Sequence, residues 1–358
     1  MNDQPASTKA DTGSRDGVII VGAGPVGCTA ALALRQAGLS VALYDPQLAA
    51  PAFRPLALSY ASRLIFERLG VWRSLSVTPI ERILVSQAGA FGRTRLEAAE
   101  AGVPALGYQT DYAVLLSTLR APLAGTLVAQ AVDARCTVHA EGAAAEIPGK
   151  RYDHEVLVAL LRTDPPAAST AYERFTDQGP LALLPLAGRY ALIWSLRPER
   201  ARHLAQAPER EFVSELARLV PTSAGRVAAA EARSVQVPTL KVRRVRASRN
   251  EVYIGNAAQT LHPVAGQGLN LGLRDAWDLA QALSRAPEVG DERTLARFVA
   301  SRRLDAGTAI RITDLLASGF SGERFRAARG VALAALDLLP GPRRFFARRM
   351  IFGARALP

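Results

Sequence analysis

Seven glycines in two widely separated stretches carry the chemistry that this sequence offers. The first stretch is Val18-Ile-Ile-Val-Gly22-Ala-Gly24-Pro-Val-Gly27. The second begins at Gly255 and Asn256, passes through His262-Pro263-Val-Ala-Gly266-Gln267-Gly268-Leu269-Asn270, and ends at Gly272 and Asp275. A glycine-rich turn that opens a helix lets backbone N–H groups approach an anion or an electron-rich ring with no Cβ in the way. Each stretch reads as a cofactor cradle, and nothing in the local sequence gives the four glycines of the second a packing role.

Both cradles are bracketed by the elements they need. Val18 to Val21 reads as a buried strand, Cys28 to Ala37 as a helix closed by Gly38, and Ser40 to Tyr44 as a second strand ending at Asp45. Asp45 lies 45 − 27 = 18 residues beyond the last glycine, close to the ~20 expected of a dinucleotide fingerprint, in which a pyrophosphate sits on the helix N-terminus and the acid accepts from a ribose hydroxyl. In the second stretch Val252 to Ile254 reads as a short buried strand. Ala276, Leu279, Ala280 and Leu283 then keep the i, i+3, i+4, i+7 spacing of a helix with one buried face.

The whole chain has 358 residues with 49% apolar and 21% charged content, ordinary for a globular protein and enough for two domains. Residues 1–15 are polar and read as a disordered tail, with no apolar segment of a secretory signal behind them. No run is long and apolar enough for a transmembrane helix. Two cysteines, Cys28 and Cys136, make no disulfide framework, which places the protein in a reducing cytoplasm. His139, His154, His203 and His262 show no metal-ligand spacing, so no metal is expected. Of the 44 basic residues behind the net charge of +12, only Lys9, Lys150 and Lys241 are lysines. This arginine enrichment reflects genome composition rather than nucleic-acid binding. The charge is uneven: from Gly319 to Pro358 eight arginines face Glu323 and Asp337, 8 − 2 = +6. There Phe345, Phe346, Met350, Ile351 and Phe352 alternate with Arg343, Arg344, Arg348 and Arg349. Such a helix either lies on an anionic membrane surface or packs on the core with a solvated basic face.

Because the cradles are so far apart in sequence, the cofactor domain is expected to be discontinuous, spanning 16–145 and 235–300. The insert 146–234 has short apolar or alternating runs at Val156–Leu161, Thr170–Arg174, Leu181–Leu186 and Tyr190–Leu196, broken by turn residues, the pattern of an antiparallel sheet. Residues 301–358 read as helical.

Four blocks carry a resemblance to a known family: the fingerprint Val21 to Gly27; Arg54-Pro-Leu-Ala-Leu-Ser-Tyr-Ala-Ser62 leading into Leu69-Gly-Val-Trp72; Ala171-Tyr-Glu-Arg-Phe-Thr-Asp-Gln-Gly-Pro-Leu-Ala-Leu-Leu-Pro185; and Asn256-Ala-Ala-Gln-Thr-Leu-His-Pro-Val-Ala-Gly-Gln-Gly-Leu-Asn270. The chain resembles the class A FAD-dependent aromatic monooxygenases, the para-hydroxybenzoate hydroxylase superfamily, and within it the ubiquinone-biosynthesis hydroxylases. The resemblance implies an α/β fold, with a Rossmann-like FAD-binding domain, an inserted antiparallel-sheet substrate domain and C-terminal helices. It also implies NAD(P)H as electron donor, O2 as co-substrate and hydroxylation of a prenylated methoxyphenol through a C4a-hydroperoxyflavin. Cofactors carry such chemistry while the protein supplies position and water exclusion, which accounts for the lack of a nucleophile–base constellation.

By the same resemblance Gly22, Gly24 and Gly27 cradle the FAD pyrophosphate, Asp45 stands where the family has a glutamate on the adenosine ribose, and Arg54 contacts the flavin side of the cofactor. Asn256 replaces a family aspartate near the ribityl chain and phosphates. Pro263, Gly266, Gln267 and Gly268 wall the isoalloxazine, with Leu269 and Asn270 completing the cofactor contacts. His262 is read as setting loop geometry. Leu183, Pro185 and Trp194 form an apolar roof over the prenylated phenol. A quinone-biosynthesis complex and the inner membrane face are the expected surroundings. From Leu106 to Gly142 the chain is shorter than the family pattern, and Glu141-Gly142 stands only loosely for an Asp-Gly pair there. Two alternatives follow: hydroxylation of a soluble aromatic compound, or a non-catalytic paralogue in a quinone-biosynthesis complex.

Overall fold

Val18, Ile19 and Ile20 are apolar on both faces of their strand and all buried, which puts Val18–Val21 in the middle of a sheet rather than at its edge. The computed structural model describes residues 17–46, 53–142, 146–244, 246–262, 267–318 and 325–352; the tail 1–15, Pro263 and Gly266 lie outside the described residues. Val18–Val21 pairs in parallel with Val41–Tyr44 on one side, Val18 opposite Val41, and with Cys136–His139 on the other, Val21 opposite His139. Leu127–Val128 extends the sheet beyond the first neighbour and Glu251–Tyr253 beyond the second, both in parallel, with Ala247–Ser248 antiparallel at the far edge. The short stretch 106–142 thus still delivers the strand that this six-stranded sheet needs beside Val18–Val21.

The helix Pro25–Gln36 crosses over between the first two strands and packs against Gln267–Leu283, so the two glycine stretches meet in space. Helix Glu292–Ser318 lies against the latter. A small sheet of Pro55–Ser59, Gly107–Asp111 and Thr78–Ile80, and another of Gly149–Arg151, Thr239–Val242 and Gln259–Thr260, flank the cofactor region.

The large sheet has seven strands in the order Arg226–Gln236, Glu155–Asp164, Arg189–Leu196, Gly179–Leu186, Thr170–Thr176, Arg82–Gln87 and Arg93–Glu97. Its last two strands come from well before residue 145, and Arg82–Gln87 joins Thr170–Thr176 in parallel, covering what would otherwise be an open edge. One face is buried under helices Pro198–Gln206 and Glu209–Leu219, with Leu157, Leu183, Leu192 and Trp194 meeting Leu204, Phe212 and Leu216.

Helices Arg326–Leu338 and Pro340–Phe352 return to the Arg93–Glu97 edge. Gly330 and Gly92 allow their backbones to touch: a Cβ on Gly92 would stand 2.6 Å from the Gly330 Cα. Ala347, Ile351 and Phe352 bury against Leu96, Ala101 and Leu106, and the Arg343 guanidinium grips Glu100 with two 2.9 Å bonds. Among the described residues no helix is long and apolar enough to cross a membrane.

Candidate functional site

The three fingerprint glycines are required for different reasons. Gly22 has φ +101°, and a Cβ there would lie 2.5 Å from the backbone of Ala140 and Glu141. On Gly27 a Cβ would stand 1.9 Å from the Gly22 carbonyl oxygen. Those two let the strand, turn and helix close on each other. Gly24 is not constrained in this way. Its φ of −73° and ψ of 179° suit any residue, and a Cβ would meet only the Tyr112 hydroxyl, at an ordinary 3.6 Å, among the described residues. Gly24 is also the N-cap of Pro25–Gln36, where no side chain caps the helix and Pro25 occupies the first turn. An uncapped helix start beside a glycine the protein itself does not require is a cradle that fits a pyrophosphate.

Two side chains frame this cradle. Asp45, just beyond Val41–Tyr44, pairs with Arg120, whose Nη2 lies 2.5 Å from Asp45 Oδ2. The same guanidinium donates to the Ala23 carbonyl at 3.0 Å from Nε and 2.9 Å from Nη2. Arg120 ends the helix Tyr112–Arg120, and no local pattern marks it in the sequence; only the path of that helix back to the glycine turn reveals it. At the other end of the helix, Arg54 stacks over the Tyr112 ring at 5.7 Å. Arg54 is thereby brought next to the Gly24 turn through Tyr112. Cys28, below the turn, gives its thiol hydrogen to the Ala23 carbonyl at 3.2 Å, and burial pushes its pKa up to about 12, so it is an inert core group.

In the second stretch, two of the four glycines do have a packing role. Gly255, at φ +57°, would set a Cβ 3.1 Å from Val26 Cγ1, and Gly272 would set one 2.7 Å from Val26 Cγ2. They let the Gly255–Ala257 turn and the helix Gln267–Leu283 close onto the fingerprint helix. Gln267, Gly268 and Leu269 form the partly exposed first turn of that helix, and a Cβ on Gly268 would have 3.9 Å to Leu261. Asn256 is half-buried, and its side-chain amide takes no partner among the described residues. Asn270, by contrast, holds the Arg54-to-Ser62 segment. Its Oδ1 accepts from the Ser59 N–H at 2.8 Å and the Ser62 hydroxyl at 2.7 Å, while its Nδ2 donates to the Ala57 carbonyl at 2.9 Å. The side chain clamps the helix Gln267–Leu283 to the strand Pro55–Ser59 and the first turn of the helix that follows it.

Beneath the turn, Asp275 accepts from the Gly255 N–H at 3.3 Å and from Gln259 Nε2 at 2.9 Å. Arg302 reaches Asp275, Asp278 and Asp305 at 2.8, 2.8 and 2.7 Å, and Arg274 reaches Asp305 at 2.9 Å. Arg302 is almost completely buried, and three carboxylates around one guanidinium hold its pKa up despite that burial. This network locks the Gly255–Thr260 segment to two helices.

The expected roof residues need a correction. Leu183 and Trp194 point into the core under helices Pro198–Gln206 and Glu209–Leu219, and Pro185 is buried two residues on from Leu183. A strand alternates faces, so a one-residue difference decides the side. Leu184 and Ile193, both half-buried, lie on the opposite face, the one turned away from those helices.

Known proteins give the arrangement its family. The model of the FAD binding domain family matches residues 72–313, and that of an NAD(P)-binding Rossmann-like domain matches 20–49. Ubiquinone hydroxylase UbiL of Rhodospirillum rubrum is 30% identical over 397 residues, covering 97% of this chain and 92% of that protein. The 3-demethoxyubiquinol 3-hydroxylase of Escherichia coli is 27% identical over 354 residues, covering 85% and 90%. Among solved structures, PqsL, a probable FAD-dependent monooxygenase from Pseudomonas aeruginosa, superposes with a TM-score of 0.74 at 20% identity, over 89% of this chain and 100% of that one. The six-stranded sheet with its crossover helix, the inserted large sheet and these matches lead to one conclusion: the chain belongs to the FAD-binding family of flavin-dependent monooxygenases that includes hydroxylases of ubiquinone biosynthesis.

Proposed function

We propose that this protein hydroxylates a prenylated methoxyphenol, a ubiquinone precursor, using NAD(P)H and O2. The observation that carries the cofactor half of this reading is the Gly24 cradle: an uncapped helix N-terminus, a glycine with no steric reason of its own, and Asp45 held ready by Arg120. FAD bound there would supply the oxygen-activating chemistry. The first-turn N–H groups of Pro25–Gln36 would hold the pyrophosphate, Asp45 a ribose hydroxyl, and Arg54 the flavin side of the cofactor. Asn256 would stand near the ribityl chain and phosphates; Pro263, Gly266, Gln267 and Gly268 would wall the ring, where N–H donors favour negative charge on the reduced cofactor, with Leu269 and Asn270 completing the cofactor contacts. Leu184 and Ile193 offer an apolar surface for a prenyl chain, in place of Leu183, Pro185 and Trp194. The substrate half rests on the similarity to the two ubiquinone-pathway hydroxylases. The test is to purify the protein without added flavin, record its visible spectrum, and supply NADH or NADPH in air with a 6-methoxy-2-prenylphenol. Bound flavin that bleaches with reductant, and a product carrying one more oxygen atom, are expected. Protein that stays colourless after incubation with FAD overturns the reading.

A prenylated substrate resides in a bilayer, and the C-terminal helices suit its surface. Ile351 and Phe352 anchor the last helix inward and leave its Phe345 68% exposed with Arg344 and Arg348 outside, beside Leu338, 78% exposed at the end of the preceding helix. Apolar side chains flanked by unburied arginines favour an anionic lipid surface. Co-sedimentation with phosphatidylglycerol vesicles, absent with phosphatidylcholine and lost in Phe345→Ser/Arg344→Glu, is the expected result. Equal recovery with both vesicle types removes the membrane reading.

A further inference from the structure

Val85, Glu173, Ala182, Ile193 and Val158 stand side by side across five strands of the large sheet, on the face turned away from helices Pro198–Gln206 and Glu209–Leu219. Glu173 is the polar member of that row. Burial pushes the pKa of its carboxyl up to about 8, yet part of the side chain stays open. No hydrogen bond or ion pair reaches it from the described residues. A carboxyl that is both desolvated and open lines a cavity inside the fold rather than the outer surface. Left unpaired there it costs stability, and a ligand that pairs it recovers that cost.

The elements packed on this face bring few charges. Arg329 of helix Arg326–Leu338 lies over the Phe175 ring at 4.6 Å and donates to Gln87 Oε1 at 2.6 Å, while Arg326 donates to the Ala88 and Gly89 carbonyls. Helix Tyr60–Arg68 brings Tyr60, and helix Pro340–Phe352 presents Ala347, Ile351 and Phe352. Burial alone raises Glu173, with no contribution from these groups. At neutral pH the carboxyl is therefore protonated and has an O–H to donate.

Beside Glu173 the sheet forms an apolar floor. Ala182, with only a methyl group, separates Glu173 from Ile193, which is two strand spacings away, about 10 Å. Leu184 stands two residues beyond Ala182 on the same face, and Leu184 and Ile193 are both half-buried. A proton donor at one end and hydrocarbon at the other match the polarity of a ring that carries an ether oxygen and a prenyl tail.

We propose that Glu173 selects the methoxy substituent of the substrate, its carboxyl O–H donating to the methoxy oxygen while Ala182, Leu184 and Ile193 take the ring face and the start of the prenyl chain. This assignment rests on the hydroxylase reading above and adds to it which substituent the site recognises and which way round the ring lies. An ether oxygen only accepts, so it pairs with a protonated carboxyl and is repelled by an ionised one.

Titration of the FAD-loaded protein with 6-methoxy-2-prenylphenol and with 2-prenylphenol, followed by the perturbation of the flavin spectrum, tests the assignment. The native protein should bind the methoxy compound about fivefold more tightly near neutral pH. That preference should vanish as pH rises past about 8, where the carboxyl ionises. Glu173→Gln keeps an N–H donor that does not titrate, so its preference should persist on both sides of that pH. Glu173→Leu should bind the two phenols equally, with the affinity for 2-prenylphenol retained. Equal binding of the two phenols by the native protein, or an unaltered preference in Glu173→Leu, overturns the assignment and leaves the hydroxylase reading standing. Binding of neither phenol overturns the hydroxylase reading and this assignment with it, a result told apart from equal binding by the missing spectral change.

Discussion

Arg120 Nη2 sits 2.5 Å from Asp45 Oδ2 while the same guanidinium holds the Ala23 carbonyl within the glycine turn. The acid expected on a ribose is therefore oriented before any nucleotide arrives, and a positive charge stands beside the phosphate cradle. A carboxylate has further lone pairs for a hydroxyl once one oxygen is engaged. Arg120→Ala should raise the FAD dissociation constant about tenfold, about 1.4 kcal/mol, by titration of flavin fluorescence. Asp45→Ala should cost a similar amount and the double variant less than the sum, since the pair acts as one unit. Additive losses would separate the two residues.

Gly24 offers a cleaner probe of the cradle than its neighbours. A Cβ at this position has 3.6 Å to its nearest described neighbour, so Gly24→Ala should fold with an unchanged melting temperature. Flavin should nevertheless be lost, and more completely in Gly24→Val, because the added carbon occupies the approach of the phosphate. Full flavin retention in Gly24→Val would sink the assignment of this turn.

Gly272 lies inside a helix, where alanine alone would add up to about 1 kcal/mol of stability. The Val26 methyl 2.7 Å from the new Cβ reverses the sign, and Gly272→Ala should lower the urea midpoint. The same substitution should cost less in a Val26→Ala background, which removes that methyl. Equal losses in both backgrounds would show that Val26 is not the obstacle.

Removing Arg302 takes the shared cation from Asp275, Asp278 and Asp305, of which Asp305 keeps Arg274. Breaking such a buried network costs about 3–5 kcal/mol. Arg302→Met should show a loss of that order in denaturant melts and weaker flavin retention, since Asp275 also holds the Gly255 N–H.

Acid should destabilise the fold through His262. Its folded pKa is pushed from 6.5 to about 3, so between those values the unfolded chain binds a proton that the folded chain refuses. The stabilisation is fully present above about 6.5 and is lost as pH falls toward about 3. Urea midpoints should fall from about pH 7.5 to about pH 5, and His262→Asn should flatten that slope. Identical slopes in both proteins would mean that His262 is not the group responsible.

The fingerprint was legible because its requirements are local. Gly22, Gly27, the strand, the helix and Asp45 lie within one crossover unit; the positive φ of Gly22 and the approach of Gly27 to Gly22 act within a few positions, and only the Ala140–Glu141 backbone against Gly22 comes from far along the chain. The four strands read between 156 and 196 were legible for the same reason, since alternation and turn residues are written along the chain. Which face each strand buries was not. Leu183 and Leu184 are equally apolar, and only the helices Pro198–Gln206 and Glu209–Leu219 decide that Leu183 faces the core.

The sequence by itself determined that a nucleotide-binding crossover begins this chain, because backbone sterics and helix electrostatics operate over short separations. Tertiary structure alone decided that Gly255 and Gly272 exist for Val26, that Arg120 reaches back to Asp45, and that His154 meets His262 across more than a hundred residues. Those relations arise where packed elements bring distant side chains into contact, and nothing in the spacing of residues along a chain records which contacts folding will make.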